Sequence, residues 1–352
     1  MFISLVLLYI ICLSLAFVEE RLVDMDKRLL YAFMGVVMIL IAGLREPGAT
    51  PDSDVYEAMY YSKATLLVEP SFTFLSDFYL SMSFGVNALF ITYAAISVPL
   101  RLNAIWKLSS LPILTLSICI SHYYLLHDVV QMRCAVASAL FLLAVYYKLE
   151  RKITYSLLCI FLGVFFHYSA IVGLIIYAID NKPLKSRHYY ILHLIIPIGI
   201  AFYFSGMDIS QFVPAEIGGE KLQKYREMKE KGLEGDLEGI PFFQDPAIIL
   251  NILLYYGCLF YHKLLTDKYK YTPIFLKIMG IAFICKLTLG SLSSVLASRL
   301  FEYFDIVSIF LWTATVYAFN PVSIGKYIVS FASTIRFLIS SLFYVLGLGV
   351  NN

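Results

Sequence analysis

Three arginines, one histidine and two aspartates stand where apolar segments end, and together they define a chemistry. Arg45, Asp52 and Asp54 lie in "GLREPGATPDSDVY", residues 43–56. Arg133 lies in "LLHDVVQMRCAVA", His167 in "FFHYS" and Arg299, with Glu302, in "ASRLFEYFD". Guanidinium forks grip phosphate oxygens through paired hydrogen bonds. Imidazole exchanges a proton near neutral pH. A cationic clamp beside a base is the equipment for moving a sugar from a lipid pyrophosphate to a hydroxyl. The arginines stabilise the departing pyrophosphate, and His167, with Asp52 or Asp54 as its support or substitute, activates the hydroxyl. The D-x-D spacing of Asp52 and Asp54 is a weak metal signal. No metal or other cofactor is expected, because the arginines can neutralise the leaving group.

Each residue has a plainer alternative. Arg45 can anchor a helix end by reaching to headgroups. Arg133 can pair with Asp128 across a turn. Arg299 and Glu302, three apart, can form a helix-surface ion pair. His167 can be an ordinary interfacial histidine. Lys286, in mid-segment, can pair internally. Against these stands the bias that keeps basic residues out of short outer loops. Three arginines in such places favour an anionic ligand.

The elements that must position these groups are membrane helices. Of the 352 residues, 60% are hydrophobic and 15% charged, whereas a soluble domain carries about a quarter charged residues. The mean hydropathy is +0.78. The formal net charge of +2 is too small to call for a polyanionic partner, and no nucleic-acid motif is visible. The six cysteines sit in or beside apolar runs with no CxxC pair, so neither a disulfide framework nor a metal site is expected. The N-terminal run ends in acids rather than a small-residue cleavage site and reads as a retained first span.

Apolar runs at 2–18, 29–44, 84–100, 111–127, 131–147, 153–180, 189–205, 246–262, 273–296, 301–319 and 327–347 approach the ~20 residues of a spanning helix. Basic clusters after spans one, three and five, at 182–187 and at 263–270 place those loops in the cytoplasm; Arg101 and Lys107 are counted among them. The run 153–180 has basic residues at both ends, which one crossing cannot satisfy. It is expected to be a short helical hairpin with its apex at residues 165–169; the simpler alternative is one long tilted helix that breaks the basic-residue rule once. The expected fold is all-α: one polytopic membrane domain over 1–352, with about 12 segments and long outer loops at 45–83 and 206–245. The first loop is expected to form short amphipathic helices, the second a surface helix.

The chain resembles the EpsG-like branch of the Wzy-type polysaccharide polymerases. Arg45, Asp52 and Tyr56 are similar to that family's early Arg and Asp-x-x-x-Tyr stretch, although Gly48 lies four residues before Asp52 rather than two and Asp54 is additional. "QMRCAVASAL" places Gln131 and Arg133, "FFHYSAIVGL" places His167 and Ser169, and "SRLFEYF" places Arg299 and Tyr303. The resemblance implies an enzyme of the bacterial inner membrane that joins undecaprenyl-pyrophosphate-linked repeat units on the periplasmic side. It makes His167, Asp52 and Asp54 the catalytic candidates. Arg45, Arg133, Arg299, Tyr56, Gln131, Tyr303 and Glu302 are the substrate-binding candidates. The expected partners are lipid-linked glycans, the bilayer, a flippase and a chain-length regulator, but no nucleic acid. The alternatives are a transporter or flippase of lipid-linked sugars, which needs polar groups along a midplane path (only Lys286 and Arg336 lie deep), and another lipid-dependent glycosyltransferase or ligase.

Overall fold

The structure is a computed structural model describing residues 1–62, 68–205, 246–290 and 293–346. The expected surface helix in 206–245 lies outside the described residues. The chain divides into two compact units, Met1–Ala178 with Trp312–Asn352, and Ile179–Leu311.

In the first unit, α1 (Phe2–Val18), α2 (Asp24–Gly43), α3 (Ser53–Tyr61), α4 (Pro70–Ser81) and α5 (Asn87–Leu108) are followed by α6 (Pro112–Cys119). Helix α6 runs directly into an eleven-residue π-helix, Ile120–Val130. Then come α7 (Met132–Leu149) and α8 (Ile153–Phe166). These runs are helical because lipid offers no partner to an unpaired peptide group. Helix α2 packs on α5, α5 on α7 and α7 on α8. Glu19, buried, accepts the backbone N–H groups of Ile113 and Leu114 at 2.8 and 3.2 Å, satisfying donors that the first turn of α6 leaves open.

In the second unit, α9 (Ser186–Ser205), α10 (Pro246–Phe260), α11 (His262–Lys268), α12 (Thr272–Leu289) and α13 (Ser294–Asp305) pack mainly through α12 against α9 and α13. Gly199 lets α9 approach Leu287, whose side chain would lie 2.6 Å from any Cβ there. Lys286 donates to Ser298 Oγ at 2.7 Å, the internal pairing anticipated for it. Helix α14 (Ser308–Thr315) and α15 (Val322–Tyr344) complete the chain. In the first unit α15 packs on the π-helix, and Phe337 stacks on Tyr9 of α1 with ring centroids 4.3 Å apart.

Among the described residues, seven helices are long and apolar enough to cross a bilayer, or eight if the bent pair α10–α11 is one span. Each expected segment overlaps a helix. The polytopic all-α membrane architecture follows.

The run 153–180 is two arms. Helix α8 ends at Phe166, His167 is extended at φ −155° and ψ 114°, and a 3-10 helix occupies Tyr168–Ala178. The second arm folds back on α8: a Cβ on Gly163 would stand 3.1 Å from the Ala170 Cβ. Both arms touch α7. His167 is therefore at the turn, as the charge pattern required.

Arg101 corrects the sequence reading. The helix does not stop at residue 100; it continues to Leu108, so Arg101 is buried in the bundle rather than in a cytoplasmic loop. Its Nη1 pairs with Asp128, and its Nη2 donates to the Ala135 carbonyl and Ser138 Oγ at 3.1 and 3.2 Å. Ser97 Oγ donates to the other Asp128 oxygen. Asp128 thus belongs to Arg101 and not to Arg133, and it sits within the π-helix rather than in a tight outer turn.

Two outcomes follow from this packing. Single cysteines at positions 152 and 185 should label from the same side of the membrane in a cysteine-free, polymer-competent background; opposite sides would rule out the hairpin. Arg101→Leu should destabilise the protein by about 3–5 kcal/mol, because it strands a buried carboxylate. The double variant Arg101→Leu/Asp128→Leu should recover most of that loss in detergent unfolding. A double variant no more stable than the single one would show that the stranded charge is not the cause.

Candidate active site

The site grows from Glu69, which the sequence reading passed over. Glu69 precedes Pro70 at the start of α4, with φ −62° and ψ 145°. Proline fixes the first helical turn and restricts its predecessor to extended backbone. The carboxylate at that position is aimed off the helix end. Its Oε2 pairs with Arg133 Nη1, and its Oε1 lies 3.1 Å from His167 Nδ1. The Tyr168 N–H points at the same oxygen over a longer 3.5 Å. The carboxylate is 2% exposed, against 18% for Arg133 and 12% for His167. One acid therefore joins α4, the first turn of α7 and the hairpin apex.

Aromatic rings surround the bridge. The Arg133 guanidinium lies 5.4 Å from the Tyr56 ring centroid and 5.8 Å from that of Phe72, within range of cation–π attraction, and it is hydrogen-bonded to Tyr56. Beside it the hydroxyls of Ser71 and Tyr93 are 2.9 Å apart. Burial pushes the Glu69 carboxyl up, but the His167 hydrogen bond and the Arg133 charge prevail and hold it down at about 2. An ionised carboxylate has no proton to donate. His167 Nδ1 must then carry the hydrogen, and in the neutral ring the lone pair is on Nε2.

Arg45 occupies a second position. It follows the C-terminus of α2, where helix carbonyls lack partners, and its Nη1 donates to the Ala42 carbonyl. The guanidinium covers the Phe90 ring at 3.9 Å and is 2% exposed, so it does not reach toward headgroups. Its Nε and Nη2 have no hydrogen-bond partner among the described residues. Burial draws its pKa down to about 10, against the opposing pull of Tyr56, Tyr124 and Asp52. It remains a cation at neutral pH.

The other expected residues fall as follows. Asp52, half-buried, stands at the start of α3. Asp54 is exposed and packs against Gly48, whose φ of +82° glycine tolerates best. Ser53 Oγ donates to the Thr50 carbonyl at 2.7 Å, and Thr50 Oγ1 reaches the Val129 carbonyl at 3.4 Å; this pins the loop to the π-helix end. The carboxylate at His167 Nδ1 is Glu69, a role the sequence reading gave to Asp52 or Asp54. The start of α3 carries the one toward Arg45 and the other to the surface. Gln131 links the π-helix to α7 and is half-buried. Arg299, exposed, Glu302, half-buried, and Tyr303, buried, all lie on α13 of the second unit. The cluster of Tyr56, Arg133 and His167 around Glu69 thus comes from the first unit alone. The missed signal for Glu69 was its isolation: it is the one charge in "LLVEPSFTFL".

Fold and site define a multi-pass membrane protein with a buried ionic cluster of Glu69, Arg133 and His167. The EpsG family model matches residues 28–349, nearly the whole chain, and the chain belongs to the EpsG family. That is a Wzy-like family of polysaccharide polymerases, and a role in polysaccharide polymerisation follows in general terms. No curated protein and no solved structure matches the chain significantly.

The lowered pKa of Glu69 links stability to pH. Its folded value of about 2 lies below its ordinary 4.5, so its contribution is fully present above about pH 4.5 and is lost as pH falls toward 2. The difference corresponds to about 3 kcal/mol. Unfolding midpoints measured in detergent between pH 7 and 3 should fall steeply for the natural protein and less steeply for Glu69→Gln. Parallel curves would mean that Glu69 is not the titrating group.

Proposed function

We propose that the chain joins undecaprenyl-pyrophosphate-linked oligosaccharide repeat units into O-antigen, capsule or exopolysaccharide at the periplasmic face of the bacterial inner membrane. The observation that supports this reading is the Glu69 bridge between Arg133 and His167. Glu69 fixes the imidazole tautomer, so Nε2 takes the proton of an acceptor hydroxyl as its oxygen attacks the anomeric carbon. The bond from that carbon to the pyrophosphate oxygen breaks, and undecaprenyl pyrophosphate departs with the electron pair. Arg133 and Arg45 stabilise the negative charge that develops on it. Arg133 also holds Glu69 ionised, so the cation and the base are set by one contact. Asp52 tunes Arg45 and is not the base. A single polymerase domain over the whole chain, with a flippase and a chain-length regulator as partners, completes the reading.

A purified, bilayer-reconstituted protein supplied with the lipid-linked repeat unit of its own strain tests this. His167→Gln should bind the substrate nearly normally and lose turnover by ~10²–10⁴. Glu69→Gln should lose turnover in the same direction. Arg133→Ala removes charge-assisted bonds of about 1.5–3 kcal/mol, a rate factor of roughly 10–150, and Arg133→Lys should rescue poorly because ammonium lacks the planar fork. Asp52→Asn should be mild. Near-normal turnover in both His167→Gln and Glu69→Gln would sink the mechanism.

A further inference from the structure

A groove of about 410 Å³ runs between α2 and α5. Its walls are apolar: Ala32, Val36 and Ile39 on α2, and Pro99 and Leu102 on α5. On α2 they continue one stripe from Arg28, at i+4, i+8 and i+11. One end differs. Arg28, Asn103 and Trp106 line it, and the Arg28 guanidinium lies 5.5 Å from the Trp106 ring centroid. The same ring lies 5.3 Å from that of Tyr31, whose hydroxyl donates to the Leu102 carbonyl at 3.1 Å, so the walls of this mouth are tied together. Arg28 and Asn103 are exposed. Among the described residues Arg28 has no carboxylate partner; Asp24, one turn before it, is exposed and makes no ion pair with it. Helix α5 is long and apolar enough to cross a bilayer, and Trp106 stands two residues from its end at Leu108. That puts the mouth at the polar interface, where tryptophan and basic side chains gather. Next to it, Lys107 covers the Tyr146 ring at 4.8 Å. The stripe from Arg28 to Ile39 covers roughly 16 Å of helix, against about 15 Å for one leaflet of a ~30 Å hydrocarbon core. Arg45 follows the other end of α2.

We propose that this groove binds one anionic glycerophospholipid, with its phosphate at Arg28 and Asn103 and an acyl chain between α2 and α5, in the leaflet at the end of α2 opposite Arg45. An arginine fork and a side-chain amide are phosphate donors, and the walls beyond them offer a chain only hydrocarbon. The uncompensated Arg28 selects an anionic headgroup, because a zwitterionic one brings its own cation. A groove that stops at one leaflet's depth suits a lipid; a membrane helix of a partner would need a contact surface about twice as long. Neither Glu69, Arg133 nor His167 lines the groove, so the lipid site stands apart from the polymerase reading.

The test uses the full chain in phosphatidylcholine nanodiscs, as Trp312→Phe, which leaves Trp106 the sole tryptophan. Phosphatidylglycerol or phosphatidylcholine, each brominated in the upper part of the acyl chain, is titrated in, and quenching of Trp106 is read. Phosphatidylglycerol should quench with about 5-fold higher affinity, the worth of one basic residue beside an anionic headgroup. Arg28→Gln should abolish that preference, and Arg28→Lys should keep most of it. Ala32→Phe/Val36→Phe, at two exposed positions, should fill the groove and lose quenching by both lipids while the unfolding midpoint is kept; unchanged quenching overturns the acyl-chain placement. Equal affinity for the two lipids in the Trp312→Phe protein would leave only bulk lipid contact and overturn the site, as would an Arg28→Gln protein that retains the preference. Absence of quenching by either lipid would show the groove covered by another helix or a second copy of the chain, and overturns the site as well.

Discussion

The first unit is organised around one carboxylate that has been taken out of water. Glu69 cannot stay ionised at 2% exposure without a cation and a donor, and it has both: Arg133 on one oxygen and His167 on the other. Because those partners come from α7 and the hairpin apex, the bridge fixes three segments that are far apart in the chain. Breaking it would leave a buried charge, a cost of several kcal/mol. The arrangement is therefore stable only as a whole. An aspartate, shorter by one methylene, would have to bring α4 closer to span the same two partners.

The scaffold behind the bridge is also polar, and it keeps α7 in register. Arg101 ties α5 to the π-helix through Asp128 and to α7 through the Ala135 carbonyl and Ser138. Ser138 Oγ lies 3.0 Å from His127 Nδ1, so the same network closes back on the π-helix. The i to i+5 bond from Gln131 N–H to the Leu126 carbonyl, at 2.8 Å, ends that helix one residue before α7 begins. Arg133 is thereby delivered in the first turn of α7, where its side chain can reach Glu69. Long π-helices are rare and their single-turn relatives cluster at functional sites; here the irregular register carries the Asp128 that pairs with Arg101.

What could be read from the sequence was what leaves a trace in charge placement or in local helix signals. The hairpin at 153–180 was legible because two basic clusters contradicted a single crossing. The helices α3 and α4 were legible from their mixed composition. His167 and Arg133 stood out as polar residues at the edges of apolar runs, and Tyr56 through the family resemblance. Arg101 did not, because a charge at the apparent end of a run looks like a loop residue; only the structure shows α5 continuing another two turns. The π-helix could not be read because its residues are buried on every side, and periodicity carries no information where no face is polar. Glu69 was hidden for a different reason. Its partners lie 64 and 98 residues away, and a lone acid before a proline carries no local sign of them.

The two arginines of the first unit are not equivalent, and the difference bears on where an anion would gain most. Arg133 already shares its fork with Glu69, so a phosphate beside it meets a cation whose charge is largely compensated and a carboxylate that repels it. Arg45 is buried over Phe90, keeps its charge at neutral pH, and has two donors without hydrogen-bond partners among the described residues. A buried unpaired charge is expensive, and the expense shrinks when an anion arrives. Tyr56 lies within the electrostatic reach of both guanidiniums. The two therefore differ electrostatically: Arg133 is partly compensated by Glu69, whose carboxylate it keeps ionised, whereas Arg45 is the cation whose burial an anion would relieve more. Changing the two side chains alone would not exchange these environments, because the Glu69 bridge is formed by Arg133 and, among the described residues, not by Arg45.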